Sequence, residues 1–218
     1  MKTIRLTGSA LRLEDLVAAS RRESRAALAP SARRAMAASR RVVDRAIRSG
    51  ATVYGVTTGF GKFADVAIPT GDIEELQRNL IRSHAAGVGA PLGPAAVRAM
   101  MLLRANALAR GNSGIRVATV DTLLRMLAAD ILPVIPAQGS VGASGDLAPL
   151  SHLALGLMGE GSVQVRGRTQ ASARALSRAR IRPVVLGAKE GLALINGVQM
   201  SVAVGGLALA RALELCRV

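Results

Sequence analysis

The chain has 218 residues, half of them apolar, which is enough to build a substantial core and excludes a disordered segment. Lys and Arg number 29 against 14 Asp and Glu, a net charge of +15 that would suit nucleic acid or an anionic surface. There is no Trp, one Tyr and two Phe, so platforms for stacking bases are missing, and a bias toward Arg and Ala explains the charge at least as well. Nucleic-acid binding is therefore not expected.

Thr3 to Leu6 reads as a short strand, followed through Gly8-Ser9 by a helix over about Leu13 to Arg25. Pro30 opens a second helix whose apolar row is Ala35, Met36, Val42, Val43, Ala46 and Ile47, closed at Gly50. Thr52 to Lys62 carries Gly55, Gly59 and Gly61 beside the chain's only tyrosine, Tyr54, and makes a poor helix and a good loop. Its glycines do not have the spacing of a dinucleotide fingerprint. A helix from Asp72 sets Ile73, Leu76, Leu80 and His84 on one face, where a histidine is more often a satisfied core residue than a ligand.

Two further helices, from Pro94 to Gly111 and from Ile115 to Asp130, read as scaffold. Gly139 to His152 is rich in glycine and small residues, and Pro149 just after Asp146 fits a helix start, with the positive dipole end directed back at Ala143–Gly145. A small peripheral hairpin around Arg166-Gly167 and an Arg-rich helix over Ala171 to Arg180 follow. Gly191 to Ala210 approaches the apolar content of a membrane span, but Asn196, Gln199 and Ser201 favour a buried helix. An amide such as Asn196 in so apolar a run needs a hydrogen-bond partner if it is buried. The single cysteine, Cys216, excludes an internal disulfide, and Met1 to Gly8 lacks the apolar core of a signal peptide, so a cytoplasmic location is expected.

Four strings in this order, Tyr54-Gly-Val-Thr-Thr-Gly-Phe-Gly61, Gln77 to Gly89, Gly139 to His152 and Lys189 to Gln199, closely resemble the aromatic amino acid ammonia-lyases. The resemblance continues through Leu103 to Gly114 and so spans nearly the whole chain. It implies a mainly α fold, with small β and loop elements around a prosthetic group made from the backbone. In the family an Ala-Ser-Gly tripeptide, here Ala143, Ser144 and Gly145, cyclises to 4-methylidene-imidazol-5-one (MIO). The residue types suit that chemistry, because the Gly145 nitrogen must approach the Ala143 carbonyl closely and Ser144 must lose its hydroxyl as water.

The resemblance further implies proton transfer by Tyr54 and binding of the amino acid by Asn196, and Asp146 is the best placed local carboxylate to assist ring formation. Ser83 and His84 are similar to the histidine-acting branch, and a ring nitrogen with a hydroxyl suits an imidazole substrate better than an apolar wall would. The implied reaction is non-oxidative deamination of L-histidine to urocanate and ammonia, without a metal, in a tetramer whose sites are shared between subunits. Thr57 stands where many histidine-acting members have Asn, and Val198 where Thr commonly follows Asn-Gly; both bear on substrate more than on reaction. Residues 1–190 are expected to form the MIO-containing domain and 191–218 the start of a central helical bundle, with the chain cut inside it. The rivals are a phenylalanine or tyrosine lyase or aminomutase of the same family, a helical scaffold with an incomplete site, and an Arg-rich nucleic-acid or membrane-surface binder.

Overall fold

The computed structural model describes residues 1–59, 68–141 and 145–217. Strand β1 (Lys2–Leu6) pairs in parallel with β2 (Ser24–Leu28), and helix α1 (Leu13–Ser20) makes the crossover. Helix α2 (Pro30–Arg48) begins on a proline at its first position, where the missing N–H costs nothing. A 3-10 turn (Thr70–Asp72) leads into α3 (Ile73–His84). Strand β3 (Val88–Pro91) precedes α4 (Pro94–Ala109) and α5 (Val117–Ala128). Strands β4 (Ile131–Pro133) and β5 (Pro136–Gln138) then lead to α6 (Leu147–Met158). The hairpin β6 (Ser162–Val165) and β7 (Arg168–Ala171), α7 (Ser172–Arg178), α8 (Glu190–Ile195) and α9 (Gln199–Leu215) complete the chain.

Helix α4 is the axis of the core. It buries Val97, Ala99, Met100, Met101, Leu102, Ala105, Leu108 and Ala109, and it packs against α1, α2, α5 and α9. A helix apolar on nearly every side is stable only when wrapped by others, and each fully buried Leu or Met contributes roughly 2 kcal/mol. Helices α3, α6 and α8 pack on one another beside it. A smaller cluster of Val43, Val56, Ile73 and Ala188 ties the base of the tyrosine loop to α2, to the start of α3 and to the approach to α8.

Four sequence expectations are corrected. The helix expected to reach Arg25 stops at Ser20, with Arg22 at φ +64, and Ser24–Leu28 is a strand. Arg25, Ala26 and Ala27 favour helix, but pairing with β1 and burial of Leu28 prevail. Val42 points outward at 58 % exposure, so the core face of α2 is Ala32, Met36 and Val43. The hairpin is peripheral only in its outer strand: β7 is largely exposed, but β6 is the middle strand of the antiparallel order β4-β6-β7 and Val163 is fully buried. Finally, the stretch Gly191–Ala210 is not one buried helix. Helix α8 is buried, whereas α9 buries Ala203 alone.

Candidate active site

The short helix α8 is fastened at both ends by buried polar side chains. At its start, the fully buried Glu190 carboxylate accepts hydrogen bonds from the Arg116 backbone N–H (3.0 Å), Arg116 Nε (2.9 Å), the Thr119 hydroxyl (2.8 Å) and the Gly187 N–H (2.8 Å). Arg116 Nη2 also bonds to it. That ion pair raises the Arg116 guanidinium above its ordinary value. One residue on, the Gly191 N–H donates at 2.8 Å to Oε1 of the buried Gln77 on α3.

At the far end the holding group is Arg104 of α4, only 4 % exposed. Its Nη1 donates to the Asn196 carbonyl (3.0 Å) and to Gln199 Oε1 (2.7 Å), and its Nη2 donates to the Ala193 carbonyl. These carbonyls close the helix and have few intrahelical partners of their own. Among the described residues no carboxylate pairs with Arg104, and its Nε makes no hydrogen bond. Burial lowers its pKa to about 10, so the group still carries its charge at neutral pH.

The turn held by Arg104 meets the start of α6. The Gly197 carbonyl accepts the Asp146 N–H at 2.6 Å. The Asp146 side chain, fully buried, turns away from its own helix and accepts from the Ser201 N–H (2.9 Å) and the Ser201 hydroxyl (2.7 Å). Ser201 is the third residue of α9, so this carboxylate caps that helix from outside and lies at its positive end. Gly145 has φ +124, and a Cβ there would run into the Gly197 carbonyl. Gly197 in turn has no room for a Cβ against Gln199 Oε1 and Arg104 Nη1. Gly145 therefore requires glycine, whereas a side chain at Gly197 would have to displace the ends of Gln199 and Arg104.

Tyr54 sits in a turn at 56 % exposure. The turn is held by the Thr57 hydroxyl, which donates to the Ala51 carbonyl (2.6 Å) and accepts the Val53 N–H (2.9 Å), while Thr58 Oγ1 accepts the Gly55 N–H (3.2 Å). Ser83 and His84 bond within α3: the Leu80 carbonyl accepts from the Ser83 hydroxyl (3.0 Å) and from His84 Nδ1 (2.9 Å), which leaves Nε2 as the ring's acceptor. The Asn196 side chain is exposed, so the burial that would demand a partner for it does not arise. Ala143 and Ser144 lie outside the described residues, as do Phe60, Gly61 and Lys62 of the tyrosine string.

The structure thus brings Gly145, Asp146 and the Asn196-Gly197 turn into direct contact. The helix bearing Ser83 and His84 packs against α6 and α8. Among the described residues no three His, Cys, Asp or Glu side chains gather as a metal site. Two open grooves lie elsewhere, one lined by Arg21, Arg22, Arg25 and Arg98 and the other by Arg166, Arg168, Arg174 and Arg178.

Sequence reasoning gave no role to Arg104, took Gln199 and Ser201 only as polar breaks in an apolar run, and read α4 as scaffold. A signal was present: Val97, Met101, Arg104 and Leu108 follow one helical face, and an arginine on such a face needs a buried partner. It also passed over His152 of α6, whose Nε2 accepts the Gly87 N–H at 3.1 Å and whose pKa is lowered by burial.

Residues 11–218 match the family model for aromatic amino acid lyases. A histidine ammonia-lyase from Alkaliphilus oremlandii is 50 % identical over 218 residues, covering 100 % of this chain and 43 % of that protein. The crystal structure of histidine ammonia-lyase from Trypanosoma cruzi superposes with a TM-score of 0.93 at 41 % identity, over 100 % of this chain and 42 % of that one. Tyrosine aminomutase from Streptomyces globisporus gives 0.92 at 36 % identity, over 97 % and 40 %. The chain therefore spans less than half the length of these relatives. It belongs to the aromatic amino acid lyase family.

Proposed function

We propose that this chain carries the MIO-forming part of a histidine ammonia-lyase, which converts L-histidine to urocanate and ammonia without a redox step. The observation that carries this reading is the Gly145-Asp146 junction, where a glycine with no room for a Cβ against the Gly197 carbonyl is followed by Asp146, whose N–H donates to that same carbonyl. Such a cradle suits a tripeptide, Ala143-Ser144-Gly145, whose last amide must be bare and firmly oriented. The group so formed supplies an electrophile that no ordinary side chain offers.

The chain's own residues have complementary tasks in this reading. Tyr54 moves a proton at the reacting carbon, from a turn that Thr57 and Thr58 keep in shape. Asn196, exposed at the end of α8, holds the amino acid. His84 presents Nε2 to the substrate imidazole, because Nδ1 is committed to Leu80, and Ser83 stands beside it. Asp146 assists ring formation while bound to Ser201. The 50 % identity to a histidine ammonia-lyase supports the substrate. A cytoplasmic homotetramer, with residues 191–218 beginning a longer helical bundle, completes the proposal.

A second reading, a phenylalanine or tyrosine lyase or an aminomutase, is favoured by Thr57, which shapes the tyrosine turn where many histidine-acting members have Asn. The first test is intact mass together with turnover, on the protein as encoded. A mass two waters below the sequence value and urocanate production that disappears in Ser144→Ala, with the fold kept, are expected. Unchanged turnover in Ser144→Ala removes the mechanism, and faster turnover of phenylalanine than of histidine moves the enzyme to the second reading.

A further inference from the structure

Arg104 is an expensive way to close a six-residue helix. Carbonyls at a helix end can be satisfied by water or by a turn, whereas a buried cation without a counterion carries a desolvation penalty that neutral acceptors repay only in part. Arg98, on the same helix and also mostly buried at 14 % side-chain exposure, shows the ordinary solution: its Nε donates to Asp130 at 2.8 Å. Arg104 has no such partner among the described residues, and all its hydrogen bonds go to one place, the stretch Ala193 to Gln199. A planar fork that reaches two carbonyls and a side-chain amide fixes geometry in a way that a point charge cannot.

The turn is moulded around that fork. Gly197 abuts Arg104 Nη1 and Gln199 Oε1 on one side, and on the other its carbonyl holds the Asp146 N–H and lies where a Cβ on Gly145 would be. The guanidinium and the Gly145-Asp146 peptide therefore grip the same glycine from opposite sides. The Asn196 side chain, in the same turn, is left exposed.

We propose that Arg104 is a positioning residue: through the Asn196-Gly197 turn it orients the Gly145-Asp146 peptide for ring closure and presents Asn196 to the amino acid. The proposal rests on the reading that Ala143-Ser144-Gly145 cyclises. Closure forms a bond from the Gly145 nitrogen to the Ala143 carbonyl carbon, and that oxygen leaves as water with the amide hydrogens of Gly145 and Ser144. Ser144 then gives up its Cα hydrogen and its hydroxyl as a second water, so no oxidant or reductant is needed. The attacking nitrogen is bonded to the Gly145 Cα, and the peptide held against Gly197 begins on the other side of that atom, so fixing Gly145-Asp146 restricts where the nitrogen can be placed; a displacement of about 1 Å at a reacting centre can cost on the order of 100-fold in rate.

The test compares Arg104→Lys and Arg104→Gln with Arg98→Lys as a control for general loss of stability, all in the protein as encoded. Intact mass, melting temperature, and kcat and KM for histidine are read together. Expected are an intact fold and, for the Arg104 variants, a large fraction of molecules without the two-water deficit, while Arg98→Lys keeps the full deficit at a matched melting temperature. Turnover per cyclised molecule should fall as well, by roughly 100-fold. If Arg104→Gln fails to fold, Gln199→Ala removes one arm of the grip and keeps the charge; partial loss of the deficit is expected there. Full cyclisation with unchanged kcat and KM in the Arg104 variants overturns the proposal, as does equal loss in Arg98→Lys. A wild-type chain with no deficit overturns the proposed function itself, and this inference falls with it.

Discussion

The two ends of α8 solve one problem with opposite means. At Glu190 a buried anion is met by a guanidinium, a hydroxyl and backbone N–H groups, so its charge is matched and its acceptor sites are used. At Arg104 a buried cation is met, among the described residues, only by neutral oxygens. The first arrangement contributes mainly to stability. The second sacrifices stability and gains a fixed turn, and it lies where the family's reacting tripeptide ends. Stability and shape are thus assigned to different ends of the same six residues.

The sharpest way to break this contrast is at the matched end. Arg116→Ala leaves Glu190 buried without its ion pair and should cost about 3 kcal/mol, because an uncompensated interior charge is costly. Calorimetry or urea denaturation would show it, and a loss under about 1 kcal/mol would mean the pair is not the anchor it appears in the fold. Gly197→Ala comes next. Its Cβ meets Gln199 Oε1 and Arg104 Nη1, and a loss of about 2 kcal/mol is expected as the fork is displaced.

Arg104→Met should be milder in stability, about 1 kcal/mol, since the lost hydrogen bonds are partly offset by removal of an unmatched charge. Its effect on the two-water mass deficit should nevertheless exceed that of Arg116→Ala. This crossing of the two readouts is the clearest signature of the division between the ends.

The smallest effect concerns pH. His152 accepts the Gly87 N–H only when neutral, and burial holds its pKa below the ordinary 6.5. As pH falls through 6.5 the unfolded chain takes up the proton first, so stability present above that value is lost progressively until the native ring protonates. Melting temperatures between about pH 5 and pH 8 should fall toward acid, and less so in His152→Gln, which can still accept the bond.

Much of the helical frame was legible because its punctuation is local. Pro30 and Pro94 start helices at their first positions, and apolar spacing marks α3 and α5. What was not legible depends on distant partners. Strand β2 exists only because β1 is there to pair with it, against the helical preference of Arg25, Ala26 and Ala27. The four family strings stood out in the sequence, but nothing in them announces that the Asp146 carboxylate reaches Ser201, or that Arg104 reaches Asn196. Periodicity identifies the inward face of α4; it does not say that the arginine on that face shapes another turn.

The grip on Asp146 also sets an order of events in the life of the chain. Its carboxylate is held by a residue 55 positions later, and its N–H by Gly197. A nascent chain that has emerged only as far as α6 has Gly145 and Asp146 but not the turn against which they rest. The junction therefore takes its final form only after Ser201 has left the ribosome and α9 has begun to form. A truncated translation product ending before Gly197 therefore carries Ala143, Ser144 and Gly145 without the clamp.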